Sequence, residues 1–367
     1  VSTVDSGNLV GALLVVADGL QGAAREPIVE RRLRDGFCDT VTVLREQLLG
    51  HDGARQEDVL TACDNLLAAL PIDAPVEEWR QALGRAADAF MPALIEQVTL
   101  LVEQTDAIFS SEELAALRAD LGQVSHLFEG LIANCDRLLP WLALLPQMPT
   151  CLSATVRAWA ATLTAPESLV ALPEWCSDRR TQLDSLRDQY GDQDPWLDSI
   201  GRALEAARGS ATQVLNELAS LRRHCLRLVD ETDFRVLYDD SRHLFHIGYS
   251  VSSGEHDPNH YDLLASEARL ASYIAIARRQ IPVKHWLHLG RPYNRLGTRR
   301  VLVSWSATAF EYLMPRLFMA SPDRGVMDQS CAAAVARQIR FGDQHRVPWG
   351  VSESGFRELD EQSHYPV

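Results

Sequence analysis

The sequence predicts a mostly helical chain carrying one small β-hairpin, and three observations lead there. Through residues 1–229, apolar side chains recur every third and fourth position, with no strand-like alternation. Helix-start signals stand in front of the longest of these runs. From about Asp233 the texture changes to short aromatic and β-branched runs around a polar turn. The chain is therefore expected to divide into a helical region, 1–229, and a second domain, 230–367.

The clearest helix follows Ser110. Ser110 and Glu113 form a capping-box pattern, and Leu114, Leu117, Leu121, Val124, Leu127, Leu131 and Leu138 continue at helical spacing until Pro140. Asp194 and Pro195 start another helix, the proline occupying a position that needs no N–H. Phe234–Tyr238 and Leu244–Val251 read as strands flanking the turn Asp239-Asp240-Ser241-Arg242. A helix is expected from near Pro258, with Asp262–Ala277 taken as one continuous element. A second short strand is expected at Arg300–Trp305, and helices at Ser306–Met319, bent near Pro315, and at Val326–His345. The stretch after Pro348 reads as loop.

Composition bounds the chemistry. The 367 residues are 46% hydrophobic and 23% charged, enough for a sizeable core. A net charge of −15 argues against nucleic acid as a partner and suits a neutral ligand such as a sugar chain. The seven cysteines are scattered with no CxxC pair, as expected for reduced thiols in a cytosolic compartment. No uninterrupted apolar run approaches the ~18–20 residues of a membrane span. With Val1 first and no signal peptide, the chain is expected to be a piece of something longer.

Two acids stand out. On a helix over Asp262–Ala277, Glu267 would share the apolar face of Leu263, Leu264, Leu270, Ala271, Ile274 and Ala277, where an unpaired carboxylate is costly. Carboxylic acids tuned in that way serve glycosidic-bond chemistry and work in pairs. Glu353, in a loop beside Trp349-Gly350, is the candidate second acid; a solvated loop carboxylate is its bland alternative. For Glu267 the bland alternative is a structural ion pair with Arg269 or Arg278. Among the aromatics of this region (Tyr249, Tyr261, Tyr273, Trp286, Tyr293, Trp305, Tyr312 and Trp349), most are expected in the core. Trp305 and Trp349 are the candidates for stacking on sugar rings.

A metal centre is not expected. Pro258 interrupts the pair His256/His260, and His243/His246 would point to opposite faces of a strand. His285/His288 imply no third ligand. Gly290–Gly297 lacks a phosphate-cradling pattern and no GxSxG elbow is present. No cofactor is expected.

Four stretches, VSTVDSGNL (Val1–Leu9), YDLLASEARLASYIAIA (Tyr261–Ala277), VSWSATAFEYLMP (Val303–Pro315) and VPWGVSESGF (Val347–Phe356), together resemble the central cyclising, glucoamylase-like region of cyclic β-1,2-glucan synthases. The helical stretch from about Arg25 to Arg223 matches only in character. After SES the sequence departs from the family's Tyr-Asn-x-Arg-Asp pattern, reading Gly355-Phe356-Arg357-Glu358-Leu359-Asp360.

The resemblance implies an (α/α)6 toroid, incomplete at the C-terminus, that acts on linear β-1,2-glucan by retaining transglycosylation. Its partners would be glycosyltransferase and phosphorylase-like domains of the same polypeptide, at the cytoplasmic face of the inner membrane. Carried over by motif, Glu267 would be the nucleophile and Glu353 the acid/base, with Tyr261, Asp262, Trp305, Glu311 and Trp349 lining the cleft. Direct attack would need the two carboxyl groups about 5–5.5 Å apart. An endo-β-1,2-glucanase on the same scaffold and a non-catalytic glucan-holding module remain as alternatives.

Overall fold

The computed structural model describes residues 1–350 apart from 30, 50–53, 72, 104–108, 191–193, 298 and 321. Helices dominate its first part: α1 (Thr3–Ala23), α2 (Arg31–Glu46), α3 (Ala54–Ala69), α4 (Val76–Arg85), α5 (Met91–Glu103), α6 (Ser111–Leu138), α7 (Ala154–Ala160), α8 (Leu172–Tyr190) and α9 (Pro195–Glu231). Short elements follow: β1 (Tyr238–Asp239), β2 (Leu244–His246), β3 (Tyr249–Ser250), β4 (Glu255–His256), β5 (His260–Tyr261), α10 (Arg269–Ala277), α11 (Lys284–His288), β6 (Tyr293–Leu296), β7 (Arg299–Leu302), α12 (Ala309–Leu313) and α13 (Val326–His345). The chain separates into two compact units, Gln21–Ala219 and Val1–Leu20 with Ser220–Val367. The start of α1 thus belongs with the later residues, and the division falls within α9.

In the unit Gln21–Ala219, α2 packs on α3 and α6, and α5 on the same two helices. The cap expected at Ser110 is formed: Glu113 N donates to Ser110 Oγ (3.2 Å) and Ser110 N to the Glu113 carboxylate (2.7 Å). The buried face of α6 carries Leu117, Val124, Phe128, Leu131, Cys135 and Leu138. Phe128 takes the inward place expected of Leu127, which is 37% exposed, and its ring meets Phe37 at 5.7 Å. At the start of α9, Asp194 accepts the Trp196 N–H at 2.8 Å, the cap read from sequence.

In the other unit, the hairpin is present but shorter than expected. β1 pairs antiparallel with β2, Tyr238 opposite Phe245 and Asp239 opposite Leu244, while Phe234–Leu237 forms a 3-10 turn capped by Asp233. β5 adds to the other edge of β2, Phe245 opposite Tyr261 and His246 opposite His260. The chain's first residues extend this layer, with Thr3 N donating to Ile247 O (3.0 Å) and Tyr249 N to Val1 O (2.7 Å). The strand expected at Arg300–Trp305 is β7, and its partner β6 had no counterpart in the sequence reading. Ser306–Met319 is not one bent helix: α12 covers Ala309–Leu313 and a 3-10 turn covers Met314–Leu317. α13 spans the predicted Val326–His345.

Two glycines set α1 against α10. A Cβ on Gly7 would lie 2.6 Å from Ala271 Cβ and 2.9 Å from that residue's Cα and N; one on Gly11 would lie 3.0 Å from Leu270. Because the obstruction at Gly7 includes backbone, Gly7→Ala is expected to destabilise by about 1–3 kcal/mol, seen as a lower urea midpoint with an unchanged slope. By length and composition, α1 is also long and apolar enough to cross a bilayer, with mean hydropathy 1.2 and 33% of its most apolar window buried.

His285 on α11 is fully buried between Ser272 Oγ and His243 O, each 2.8 Å from a ring nitrogen. Burial lowers its pKa from 6.5, with only partial opposition from the carbonyl bond. The unfolded chain therefore binds a proton that the folded one refuses, so stability falls as pH drops below about 6.5. The loss is complete once pH passes the lowered folded value. A melting-temperature profile from pH 8 to 5 should show this decline, and His285→Gln should flatten it.

Candidate active site

The segment bearing Glu267 departs from the sequence reading. No helix begins near Pro258 and none runs from Asp262; α10 starts only at Arg269. The backbone before it is engaged elsewhere: Tyr261 pairs within the sheet, Gly290 N donates to Asp262 O (2.6 Å), and Leu264 N donates to Gly290 O (2.9 Å). These strand-type bonds remove the donors and acceptors that a helical turn would need. Glu267 consequently sits in the turn ahead of α10 and is half-buried, not carried on an interior helix face. Ala277, expected on that face, is exposed.

Arg269 locks this turn. It is 4% exposed and donates through Nη1 to Ser266 O (3.0 Å) and Glu311 O (2.9 Å), and through Nη2 to Tyr312 O (2.7 Å). Desolvation pushes its pKa down to about 10, so it stays charged near neutral pH. These bonds go to carbonyls of the Glu267 turn and of α12. The other cation weighed as a partner for Glu267, Arg278, meets Asp230 at 2.6 Å.

Glu311 then fixes the next piece. It is 3% exposed, and its carboxylate accepts from Ser304 Oγ (3.0 Å), Trp305 N (3.0 Å), Ser306 N (2.9 Å) and Ser306 Oγ (2.7 Å). Four donors on one carboxylate make it the anchor of the 304–306 loop. Ala307 follows with φ +59°, a left-handed conformation held by its N–H bond to Ser304 Oγ (3.0 Å). A continuous route thus runs from the Glu267 turn through Arg269 and α12 to the loop presenting Trp305.

Trp305 is 58% exposed, so its indole face is open for stacking. Trp349 is 54% exposed, just past α13, and its backbone crosses Gly342, where a Cβ would lie 3.3 Å from Trp349 N. Tyr261 is half-buried in β5 and Asp262 exposes its side chain. Tyr312 is core: 3% exposed, donating to Leu302 O at 2.6 Å. Glu353 lies outside the described residues. The structure thus ties Glu267, Trp305 and Glu311 to one framework through Arg269. Arg269 entered the sequence reading only as an ion-pair partner. The signal for Glu311 was available: Thr308 and Glu311 carry cap spacing, which places the glutamate at the start of a short helix.

No family model matches the chain. Along its entire length, over 370 aligned positions, it is 32% identical to the cyclic β-(1,2)-glucan synthase NdvB of Rhizobium meliloti strain 1021. The chain resembles a segment of a cyclic glucan synthase. It spans 11% of that synthase's length. The likeness to the synthase includes the helical middle, residues 25–223, which the four motifs alone left out.

Proposed function

We propose that this chain is part of a cyclic β-1,2-glucan synthase and carries portions of the site that closes linear β-1,2-glucan into rings. The likeness to NdvB along the whole chain is the observation that carries this reading. In the proposed scheme, Glu267 attacks the anomeric carbon while Glu353 protonates the departing oxygen, giving a covalent glycosyl-enzyme. A hydroxyl at the other end of the same glucan, deprotonated by Glu353, then displaces the enzyme with overall retention. Ring closure outcompetes hydrolysis when the acceptor end is held near the intermediate, which the open face of Trp305 favours. The (α/α)6 toroid, the neighbouring glycosyltransferase and phosphorylase-like domains, and a place at the cytoplasmic face of the inner membrane belong to the same proposal.

The test uses the complete synthase domain in its native chain, incubated with linear β-1,2-glucan, with products separated by mass. Ring products lack one water relative to linear ones of equal length. Rings support the proposal. Short linear products alone would replace it with an endo-glucanase, and unchanged glucan that nevertheless binds would leave a holding module.

A further inference from the structure

The register of the three-stranded sheet brings three metal-ligand side chains onto one face. Asp239 stands opposite Leu244, and His246 stands opposite His260. Leu244 and His246 are two apart on β2 and share a face, so Asp239, His246 and His260 share it too. One donor atom from each lies within 4.8 Å of the others. The site is sheltered: the His260 side chain is 7% exposed and that of Asp239 is 18% exposed.

Two of the three groups, His246 and Asp239, are already oriented from behind. His246 Nδ1 lies 2.8 Å from Asp257 O, and since a carbonyl only accepts, that nitrogen is the donor and Nε2 is the ring atom left to bind a cation. The Asp239 Oδ1 atom is taken by Ser241 N (2.8 Å), Ser241 Oγ (2.6 Å) and Arg242 N (3.2 Å). That leaves Oδ2 directed at His260 Nε2, 3.0 Å away. Backing bonds of this kind are what fix first ligands in metal sites. His256, stacked on His246 at 4.6 Å, spends its Nε2 on Val236 O and serves as packing.

We propose that Asp239, His246 and His260 bind one divalent first-row cation, zinc by class, which staples β1, β2 and β5 together just ahead of the segment bearing Glu267. Two imidazoles and a carboxylate suit zinc and disfavour magnesium or calcium, which want oxygen ligands throughout. Bonds of ~2.0–2.2 Å at tetrahedral angles put donor atoms about 3.4 Å apart, so on loading the 3.0 Å His260–Asp239 pair opens slightly and the wider separations, none above 4.8 Å, close. Water would complete the coordination. For His260 to bind through Nε2, its hydrogen passes by way of solvent to Nδ1, leaving a neutral ring with a free Nε2 lone pair, so no other co-reactant is needed.

The experiment strips the purified full chain with a chelator, then titrates Zn²⁺ by calorimetry and Co²⁺ by visible absorption. One equivalent per chain, tetrahedral cobalt bands and a raised melting temperature are expected. Asp239→Asn, which can keep the turn at Ser241 and Arg242, and His246→Gln should each weaken binding at least about a hundredfold with unchanged circular dichroism. His126→Asn in the other unit should change nothing. Absence of saturable binding, or wild-type affinity in either site variant, would overturn the proposal and leave His260 and Asp239 as an ordinary hydrogen-bonded pair.

Discussion

Glu267→Gln and Glu353→Gln should each stop ring formation in the complete domain while leaving its circular dichroism and melting temperature intact. Under the proposed roles, loss of the nucleophile would remove the covalent route altogether, and loss of the acid/base would remove proton transfer worth typically about 10²–10⁴-fold. The two variants should differ in a diagnostic way. With a substrate whose leaving group needs no protonation, such as an activated aryl glycoside, the acid/base variant regains its first step and the nucleophile variant does not. Recovery in Glu267→Gln instead would exchange the two roles. Full activity in either variant would remove that residue from the chemistry. The half-buried turn that holds Glu267 favours a folded product, because glutamine keeps the side chain's shape.

The second large effect is expected at Arg269. Replacing it with methionine removes three hydrogen bonds, to the carbonyls of Ser266, Glu311 and Tyr312, from a site 4% exposed. Tyr312 O keeps a weak donor in Cys331 Sγ at 3.1 Å and Ser266 O keeps the backbone N–H of residue 269 at 3.3 Å, whereas the bond to Glu311 O is lost outright. Hydrogen bonds from a charged donor contribute about 1.5–3 kcal/mol each, so losing the three from a buried site is expected to cost about 3–5 kcal/mol in denaturant unfolding. Arg269→Lys should recover only part of it, since one ammonium cannot bridge the turn and α12 as a planar fork does. In whatever fraction stays folded, activity should fall as well, because the Glu267 turn and the Trp305 loop lose their common anchor.

How far the fold could be read from sequence depended on where each element finds its hydrogen bonds. α6 and α9 were legible because their caps, Ser110 with Glu113 and Asp194 before Pro195, are satisfied within a few residues. The segment Asp262–Ala268 was not, because the bonds that hold Asp262 and Leu264 come from Gly290, more than twenty residues along the chain, and outweigh its helical periodicity. The hairpin turn was visible, whereas the β5 partner of β2 was not, since strand pairing at that distance leaves no local pattern. The same blindness hid the pairing of His246 with His260, while the histidine spacings along the chain pointed to pairs that the sheet does not use. Of the candidate residues, Glu267 and Trp305 were singled out in the sequence by their types and surroundings. The role of Glu311 as a loop anchor required knowing which donors converge on it.

One compact unit is assembled from Val1–Leu20 and Ser220–Val367, with Gln21–Ala219 lying between them in sequence. During synthesis, the first helical segment emerges from the ribosome well before the partner surface of Leu270 and Ala271 exists. At ~5–20 residues per second, that delay is roughly 13–50 s, during which an apolar stretch waits unsheltered while the intervening unit can already collapse. Nascent chains arrested near residue 220 should therefore recruit a holding chaperone at the α1 segment and release it once translation passes α10.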